Sequence, residues 1–445
     1  MSTNEAPSAP TRIEPLARPL SGTARVPGDK SISHRAVLFS AMAEGTSTLS
    51  GVLDSADVRS SVAAVTALGA EVALEKQPDG SLAGTVKGWG ANGPSQPDGP
   101  IDCGNSGTTA RLLMGVLAPW DIEVELTGDE SLQKRPMRRI TAPLMKMGAT
   151  FSPAGKETLP ITERGSRSLR AIDYDAPMAS AQLKTAVLLA GIYADGTTTL
   201  REPAPSRNHT ELMLPEYGVA TTAANRMASV TGPAQPRACE VRVPGDPSSA
   251  AFLACAALLR EGSAIEIEDV SLNAARIGFV RTLEKMGADV SVRATGSAGK
   301  EPYGVISVRF TESLHGCEVP AEKIASIIDE IPVLALVAAT ARGATVFRGA
   351  GELRVKETDR FAAIIEGLSV LGVDAWGEGD DLVVEGQPGL RAAAGASFDS
   401  KGDHRLAMTW ALAGLALGAS VEVADFECCS VSYPTFLADV ERLAR

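Results

Sequence analysis

Cysteine and histidine are scarce in this chain, six and four in 445 residues. Cys428 and Cys429 are adjacent, while Cys103, Cys239, Cys255 and Cys317 show no paired spacing, so neither a disulfide framework nor a cysteine-bound metal is expected. Scattered histidines argue against a metal site in the same way. Reduced thiols in a cytoplasmic protein are the expectation. No isolated uncharged run reaches the ~20 residues that a membrane span requires. The first twenty residues are rich in Pro and Ala and lack a signal peptide's apolar core, which predicts a mostly loose tail. Basic charge is in deficit: the net charge of −12 excludes a general binder of nucleic acid or of an acidic membrane.

What is present begins with size. A chain of 445 residues, 44% hydrophobic and 22% charged, can bury the cores of two or three globular domains. Nearly uncharged helices are predicted at 31–44, 106–118, 180–193, 248–260, 326–341 and 404–417. Their starts lie roughly 70 to 80 residues apart, the mark of an internal repeat. A short β-type segment follows each one, usually entered through Gly, as in Gly45-Thr46-Ser47-Thr48-Leu49 and Gly343-Ala344-Thr345-Val346-Phe347. A second, amphipathic helix then closes on a recurring phrase: Leu68-Gly69-Ala70, Met147-Gly148-Ala149, Tyr217-Gly218-Val219, Met286-Gly287-Ala288 and Leu371-Gly372-Val373. Each Gly there has the position of a helix C-cap. The sixth copy is cut short at Leu443-Ala444-Arg445.

A helix that is apolar all round must be buried, so the first helix of each unit belongs inside and the amphipathic one outside. Arg25-Val26-Pro27-Gly28-Asp29 returns as Arg242-Val243-Pro244-Gly245-Asp246, each ahead of a buried helix and each with a Pro-Gly pair suited to a hinge. The prediction is an α/β fold of two domains with three βαβαββ-like units each: 27–243, and 1–26 together with 244–445. Hinges are expected near 26–29 and 243–246.

Cations gather at the helix entrances and nearby loops: Lys30, His34, Arg35, Arg111, Lys134, Arg135, Arg138, Arg139, Lys184, Arg207, Lys356, Arg360, Lys401, His404 and Arg405. In Asp29-Lys30-Ser31-Ile32-Ser33-His34-Arg35, Ser31 or Ser33 can cap a helix whose first turn offers N–H groups, dipole and positive side chains to an anion. A basic cleft in an acidic protein suits a small polyanionic substrate. Gly104 and Gly107 let the backbone approach a ligand ahead of Arg111. Arg135, fixed by Pro136, can clamp a carboxylate or phosphate. Ser180 and Gln182 can bond a substrate hydroxyl or phosphate, although Ser180 can equally serve as a plain cap. Arg207 begins a polar loop ahead of the next helix. Asp329-Glu330 interrupts an apolar stretch, where carboxylates are costly unless paired or used. Lys356-Glu357 is a couple able to exchange protons, and Asp403 is a predicted N-cap.

Taken together, Gly28-Asp29-Lys30-Ser31 through Arg35, Asn105 to Arg111, Lys134-Arg135-Pro136, Arg354 to Arg360 and Asp403-His404-Arg405 resemble the 5-enolpyruvylshikimate-3-phosphate synthase (3-phosphoshikimate 1-carboxyvinyltransferase) family, from about Leu20 to Leu437. The resemblance implies an inside-out α/β barrel in each of two domains that close over the substrates. It implies transfer of the enolpyruvyl group of phosphoenolpyruvate to the 5-hydroxyl of shikimate 3-phosphate, on the route to aromatic amino acids, with no cofactor and no metal. By similarity Lys30, Ser31, Arg35, Ser180, Gln182, Arg207, Asp329 and Lys356 would bind shikimate 3-phosphate, and Lys30, Gly107, Arg135, Arg360 and Arg405 phosphoenolpyruvate. Asp329, Glu357, Lys30 and Lys356 would be the catalytic set, Asp329 serving the 5-hydroxyl and Glu357 the carbon proton. A monomer without nucleic-acid or membrane partners is expected, and so is inhibition by glyphosate, which competes with phosphoenolpyruvate in this family; some tolerant relatives carry Ala where this chain has Gly107. Leu112, Ala181 and Val431 depart from the pattern, standing where many relatives have Pro, Ser and a Lys that reaches phosphoenolpyruvate.

Three alternatives fit less well. The sister transferase acting on UDP-N-acetylglucosamine is expected to have Lys-Asn where this chain has Lys30-Ser31, and a loop bearing a catalytic Cys. A non-catalytic repeat scaffold has no need of Asp329 and Glu357 beside so many arginines. A P-loop is excluded by spacing, because Asp29 separates Gly28 from Lys30.

Overall fold

The computed structural model describes residues 9–224 and 226–445. The chain divides into two compact units, one of 27–244 with 297–301, the other of 9–26, 245–296 and 302–445. Each has its own core, built around three helices buried along nearly their whole length. In the first unit these are Lys30–Met42, Gly107–Leu117 and Ala181–Gly191; in the second they are Pro247–Leu259, Ile331–Thr340 and His404–Leu417. Their sequences carry almost no charge beyond the first turn, so no face could be left in water without losing roughly 1.5–3 kcal/mol for each large apolar side chain exposed.

One sheet accompanies each buried helix. The pattern is plainest for Gly107–Leu117, which connects Ile101–Asp102 to its parallel neighbour Glu123–Thr127; Ile161–Arg164 and Thr150–Ser152 then extend the sheet antiparallel. A parallel pair needs such a crossover, whereas the hairpin does not. The closing glycines Gly69, Gly148, Gly218, Gly287 and Gly372 all lie at positive φ, between 74° and 121°; four of them sit at or just after a helix C-cap, whereas Gly218 closes a turn four residues past Leu214, the C-cap of the short His209–Met213 helix.

The repeat explains the passages between units at 26–27 and 244–245. Ser21–Arg25 precedes the first buried helix but pairs in parallel with Ala264–Ser271 of the fourth repeat, whereas Glu240–Arg242 precedes the fourth buried helix and pairs with Thr46–Val52 of the first. The duplicated Arg-Val-Pro-Gly-Asp phrase marks these exchanged strands.

The sequence expectations need three corrections. Residues 11–20 are not loose: Thr11–Ile13 pairs antiparallel with Val421–Val423, and Leu16 and Leu20 are buried. The N-terminus thus supplies an antiparallel strand to the three-stranded sixth sheet. The residues of the predicted tail before position 9 lie outside the described residues. The fifth buried helix starts at Ile331, not near 326, because Ala321–Ile324 forms a separate short helix and Asp329 lies in the turn between them. Finally, the cap of the first helix is neither Ser31 nor Ser33 but Asp29, whose Oδ1 accepts the Ile32 N–H at 2.9 Å. Ser33 Oγ accepts the Leu53 N–H instead.

Candidate active site

In the 27–244 unit, the first turns of all three buried helices carry predicted site residues. Asp29, Ser106 and Ser180 cap these helices with side-chain oxygens, so each helix presents organised N–H groups and a positive dipole end. Lys30, at the first helical position, is paired with Asp57 from the following helix. Arg35, one turn on, is buried and held by three oxygens: Nε donates to Thr210 Oγ1 at 2.8 Å, Nη1 to the Ser31 carbonyl at 2.9 Å and Nη2 to Thr185 Oγ1 at 2.7 Å. Arg207 reaches Ser31 Oγ at 3.5 Å. Hydrogen bonds therefore tie the first helix to the third and to the loop before residue 210.

The second helix joins through Arg111, which donates to Gln182 Oε1 at 3.0 Å and to the Pro136 carbonyl at 3.4 Å. Gln182 accepts from Arg139 as well, at 3.2 Å, and donates to Thr108 Oγ1 at 3.0 Å. Arg135 is oriented by Asn105 Oδ1 at 2.6 Å and Ser131 Oγ at 3.1 Å. Gly107 lies against these guanidinium groups: a Cβ added there would stand 2.8 Å from Arg111 Nη1 and 3.5 Å from Arg135 Nη1. The structure thus brings Lys30, Ser31, Arg35, Gly107, Arg135, Ser180, Gln182 and Arg207 into one linked array.

Beneath it lies His34, fully buried, with Nδ1 2.8 Å from Ser61 Oγ. Burial pulls its pKa down to about 3; Asp57 works against that shift, and Lys30 and Arg35 add to it. The ring is neutral at working pH and is a packing and hydrogen-bonding group, not the surface-facing cation expected from sequence.

Lys184 requires the same correction. It is buried between Glu202 Oε2 and Glu211 Oε1, at 2.9 Å from each, and so is not a cation lining a cleft. Arg138 and Lys401 are exposed and paired with Glu157 and Asp399, at 2.5 and 2.9 Å; Lys134 is exposed at the end of the short 3-10 helix Leu132–Lys134.

The other unit has its own array at the starts of its buried helices. Arg360 is fully buried and contacts three carboxylates: Asp403 Oδ2 at 2.7 Å, Glu357 Oε2 at 2.7 Å and Asp329 Oδ1 at 3.1 Å. Burial opposes its charge, yet Asp403, Glu357 and Asp329 together hold its pKa above the ordinary arginine value. Asp403 also caps the His404–Leu417 helix through the Arg405 N–H at 2.8 Å. The Arg405 guanidinium stands 3.6 Å from Asp329 and 4.0 Å from Glu330. Glu330 in turn accepts from Ser248, which lies 3.0 Å from Arg276. The expected Lys356–Glu357 couple is replaced by other pairings: Lys356 bonds Glu352 at 3.1 Å, one turn back, and Glu357 turns to Arg360.

Sequence reasoning missed Asp57, Thr185, Thr210, Glu202 and Glu211. Only spatial proximity marks them: they come from following helices, strands and loops. Nothing in their local spacing distinguishes them from ordinary surface or capping residues.

Comparison with known proteins gives a consistent outcome. The sequence profile of the family described as EPSP synthase (3-phosphoshikimate 1-carboxyvinyltransferase) matches residues 16–440. A 3-phosphoshikimate 1-carboxyvinyltransferase of Alkalilimnicola ehrlichii is 44% identical over 420 residues, covering 94% of this chain and 92% of that protein. Its counterpart in Acidiphilium cryptum is 44% identical over 425 residues, covering 95% and 94%. Among solved structures, an EPSP synthase from Acinetobacter baumannii superposes with a TM-score of 0.86 at 37% identity over 98% of each chain. The enolpyruvyl transferase NikO from Streptomyces tendae shares the fold, with a TM-score of 0.77 at 19% identity over 98% of each chain.

Proposed function

The chain belongs to the EPSP synthase family, and from that premise we propose that its two arrays are the binding and proton-transfer groups of its reaction. The protein transfers the enolpyruvyl group of phosphoenolpyruvate to the 5-hydroxyl of shikimate 3-phosphate, giving 5-enolpyruvylshikimate 3-phosphate and phosphate, in the pathway to aromatic amino acids. Shikimate 3-phosphate takes Lys30, Ser31, Arg35, Ser180, Gln182, Arg207, Asp329 and Lys356. Phosphoenolpyruvate takes Lys30, Gly107, Arg135, Arg360 and Arg405.

The observation that carries the assignment of roles is the shared guanidinium of Arg360, bonded at once to Asp329 and Glu357. A buried cation there holds both carboxylates in fixed positions and is itself an anion site. When a phosphoenolpyruvate anion occupies Arg360 it competes with Glu357, and a displaced carboxylate beside a new anion favours its protonated form. Glu357 then delivers that proton to the methylene carbon while Asp329 takes the 5-hydroxyl proton and the hydroxyl oxygen bonds to C2. In the second half, Glu357 recovers the carbon proton, the C2–O bond to phosphate breaks, and the proton on Asp329 leaves with phosphate.

Mixing the protein with shikimate 3-phosphate and phosphoenolpyruvate should release phosphate, and UDP-N-acetylglucosamine should not replace the first substrate. No release with shikimate 3-phosphate would overturn the assignment. A monomer in the cytoplasm completes the reading: one chain carries every proposed residue, no helix among the described residues is long and apolar enough to cross a membrane, and all six thiols are free, as suits a reducing compartment. Light scattering tests the first point.

A further inference from the structure

A buried charged cluster in the 27–244 unit bonds to the backbone of Ser180 and to the side chain of Ser206. Its centre is Lys184, four residues into the helix that Ser180 caps, with its side chain 5% exposed. Nζ meets Glu202 Oε2 and Glu211 Oε1, both at 2.9 Å. Glu202 stands just after the Gly196–Arg201 strand, and Glu211 lies on the short His209–Met213 helix. The two carboxylates therefore bracket the loop that carries Arg207, and one ammonium group ties both ends of that loop to the Ser180 helix.

Glu202 does more than pair with Lys184. Its Oε1 accepts the Ser180 N–H at 2.8 Å, and its Oε2 accepts the Ser206 hydroxyl at 2.9 Å. A single carboxylate thus fixes the backbone at Ser180 and the residue preceding Arg207. On the other side, Thr210, the neighbour of Glu211, accepts the Arg35 Nε–H. Ser180 is bonded to the cluster directly, and Arg35 and Arg207 are each one hydrogen bond and one residue away from it.

Stability alone is a poor reason for such a cluster. One ammonium faces two carboxylates, Glu211 Oε2 has no hydrogen-bond partner among the described residues, and apolar residues of similar volume commonly replace a buried ion group at no loss of stability. We propose that Lys184, Glu202 and Glu211 are positioning residues that set the shikimate 3-phosphate half of the site by locking the Arg207 loop to the Ser180 helix. The proposal rests on the reading of the function given above and extends it to residues that touch no substrate.

The test is steady-state kinetics of Glu202→Gln, Lys184→Met and Ser206→Ala beside the wild type, with thermal unfolding run on each. Glu202→Gln and Lys184→Met should raise the KM for shikimate 3-phosphate by about tenfold or more, the effect of losing a charge-assisted hydrogen bond. The KM for phosphoenolpyruvate should stay within about twofold, because its proposed ligands are held by other partners. Ser206→Ala, which removes only the loop tether, should fold normally and shift the same KM in the same direction. The Glu202→Gln/Lys184→Met pair should cost less than the sum of the singles, since the two act as one unit. Unmoved KM for shikimate 3-phosphate in all three variants, or an equal rise for both substrates, would overturn the proposal. A wild type that does not turn over these substrates would overturn the functional reading itself, which separates the two failures.

Discussion

Replacing Gly107 by Ala tests the phosphoenolpyruvate end of the site with a single methyl group. The substitution puts that carbon 2.8 Å from Arg111 Nη1, so the guanidinium must retreat by about 0.6 Å to reach the 3.4 Å of ordinary contact. Arg111 is buried and its Nη1 donates to Gln182 Oε1 at 3.0 Å, so a retreat of that size stretches or breaks this bond. Arg135 Nη1, at 3.5 Å, needs no displacement. A methyl group at Gly107, a proposed contact of phosphoenolpyruvate, crowds that substrate directly, which predicts a rise of about three- to tenfold in its KM. Glyphosate, longer than phosphoenolpyruvate, has to occupy the space the methyl takes as well, so its inhibition constant should rise by about tenfold more than that KM. Parallel titrations of both forms, following phosphate release at fixed shikimate 3-phosphate, give the two ratios. Equal loss for substrate and inhibitor would refute the steric argument, as would a wild type indifferent to millimolar glyphosate.

Three further outcomes follow from the same geometry. Glu357→Gln keeps the contact with Arg360 but removes the titrating group, so turnover should fall by about a hundredfold or more while calorimetry still shows shikimate 3-phosphate binding; near wild-type turnover would remove Glu357 from the mechanism. His34 has a folded pKa lowered from 6.5 to about 3 chiefly by burial, so its contribution is intact above the unfolded value and is lost as pH falls below it. Between pH 7.5 and 5 this amounts to about 2 kcal/mol, and urea unfolding should show that loss in the wild type but not in His34→Gln. Glu163, whose two carboxyl oxygens are buried without hydrogen-bond partners among the described residues, is held well above the usual carboxylate pKa by burial, so it destabilises the fold increasingly as pH rises past the unfolded value. Glu163→Leu should therefore raise the melting temperature more at pH 8 than at pH 5, and an equal gain at both would disprove a proton-linked cost.

The repeat was legible because burial leaves a strong mark: helices such as Pro247–Leu259 and His404–Leu417 have no charged face, and the closing glycines each occupy a positive-φ position that other residues rarely adopt. The exchange of Ser21–Arg25 with Glu240–Arg242 was half visible, since the duplicated Pro-Gly phrase follows both strands. The pairing of Thr11–Ile13 was not, because a three-residue strand has too few alternations to stand out from a proline-rich tail. The same limit applies to side-chain partners. Helix spacing can place Arg35 and Arg360 at helix starts, but most of the oxygens that meet them come from elements 31 to 175 residues away in sequence, such as Thr210 for Arg35 and Asp329 for Arg360. Lys184 was misjudged for that reason: its helical position is that of a ligand-facing cation, and two distant glutamates convert it into an internal tether.

The arginines of the two arrays differ in how they are held, and the difference bears on what each can do in the reaction. Arg135 is oriented by Asn105 and Ser131, neutral groups that fix its direction without cancelling its charge. An arginine held in that way offers a substrate anion its full attraction before and after chemistry, which is uniform binding and lowers KM without accelerating a step. Arg360 is held by three carboxylates, so an arriving anion has to exchange with one of them. Glu357 is the most exposed of the three, with its side chain 33% accessible against 15% for Asp329 and 0% for Asp403. It is therefore the partner that can leave at least cost, whereas Asp403 is fixed by capping its helix. The proposed binding at Arg360 would then do two things in one event: seat the substrate anion and release the carboxylate proposed to carry the carbon proton.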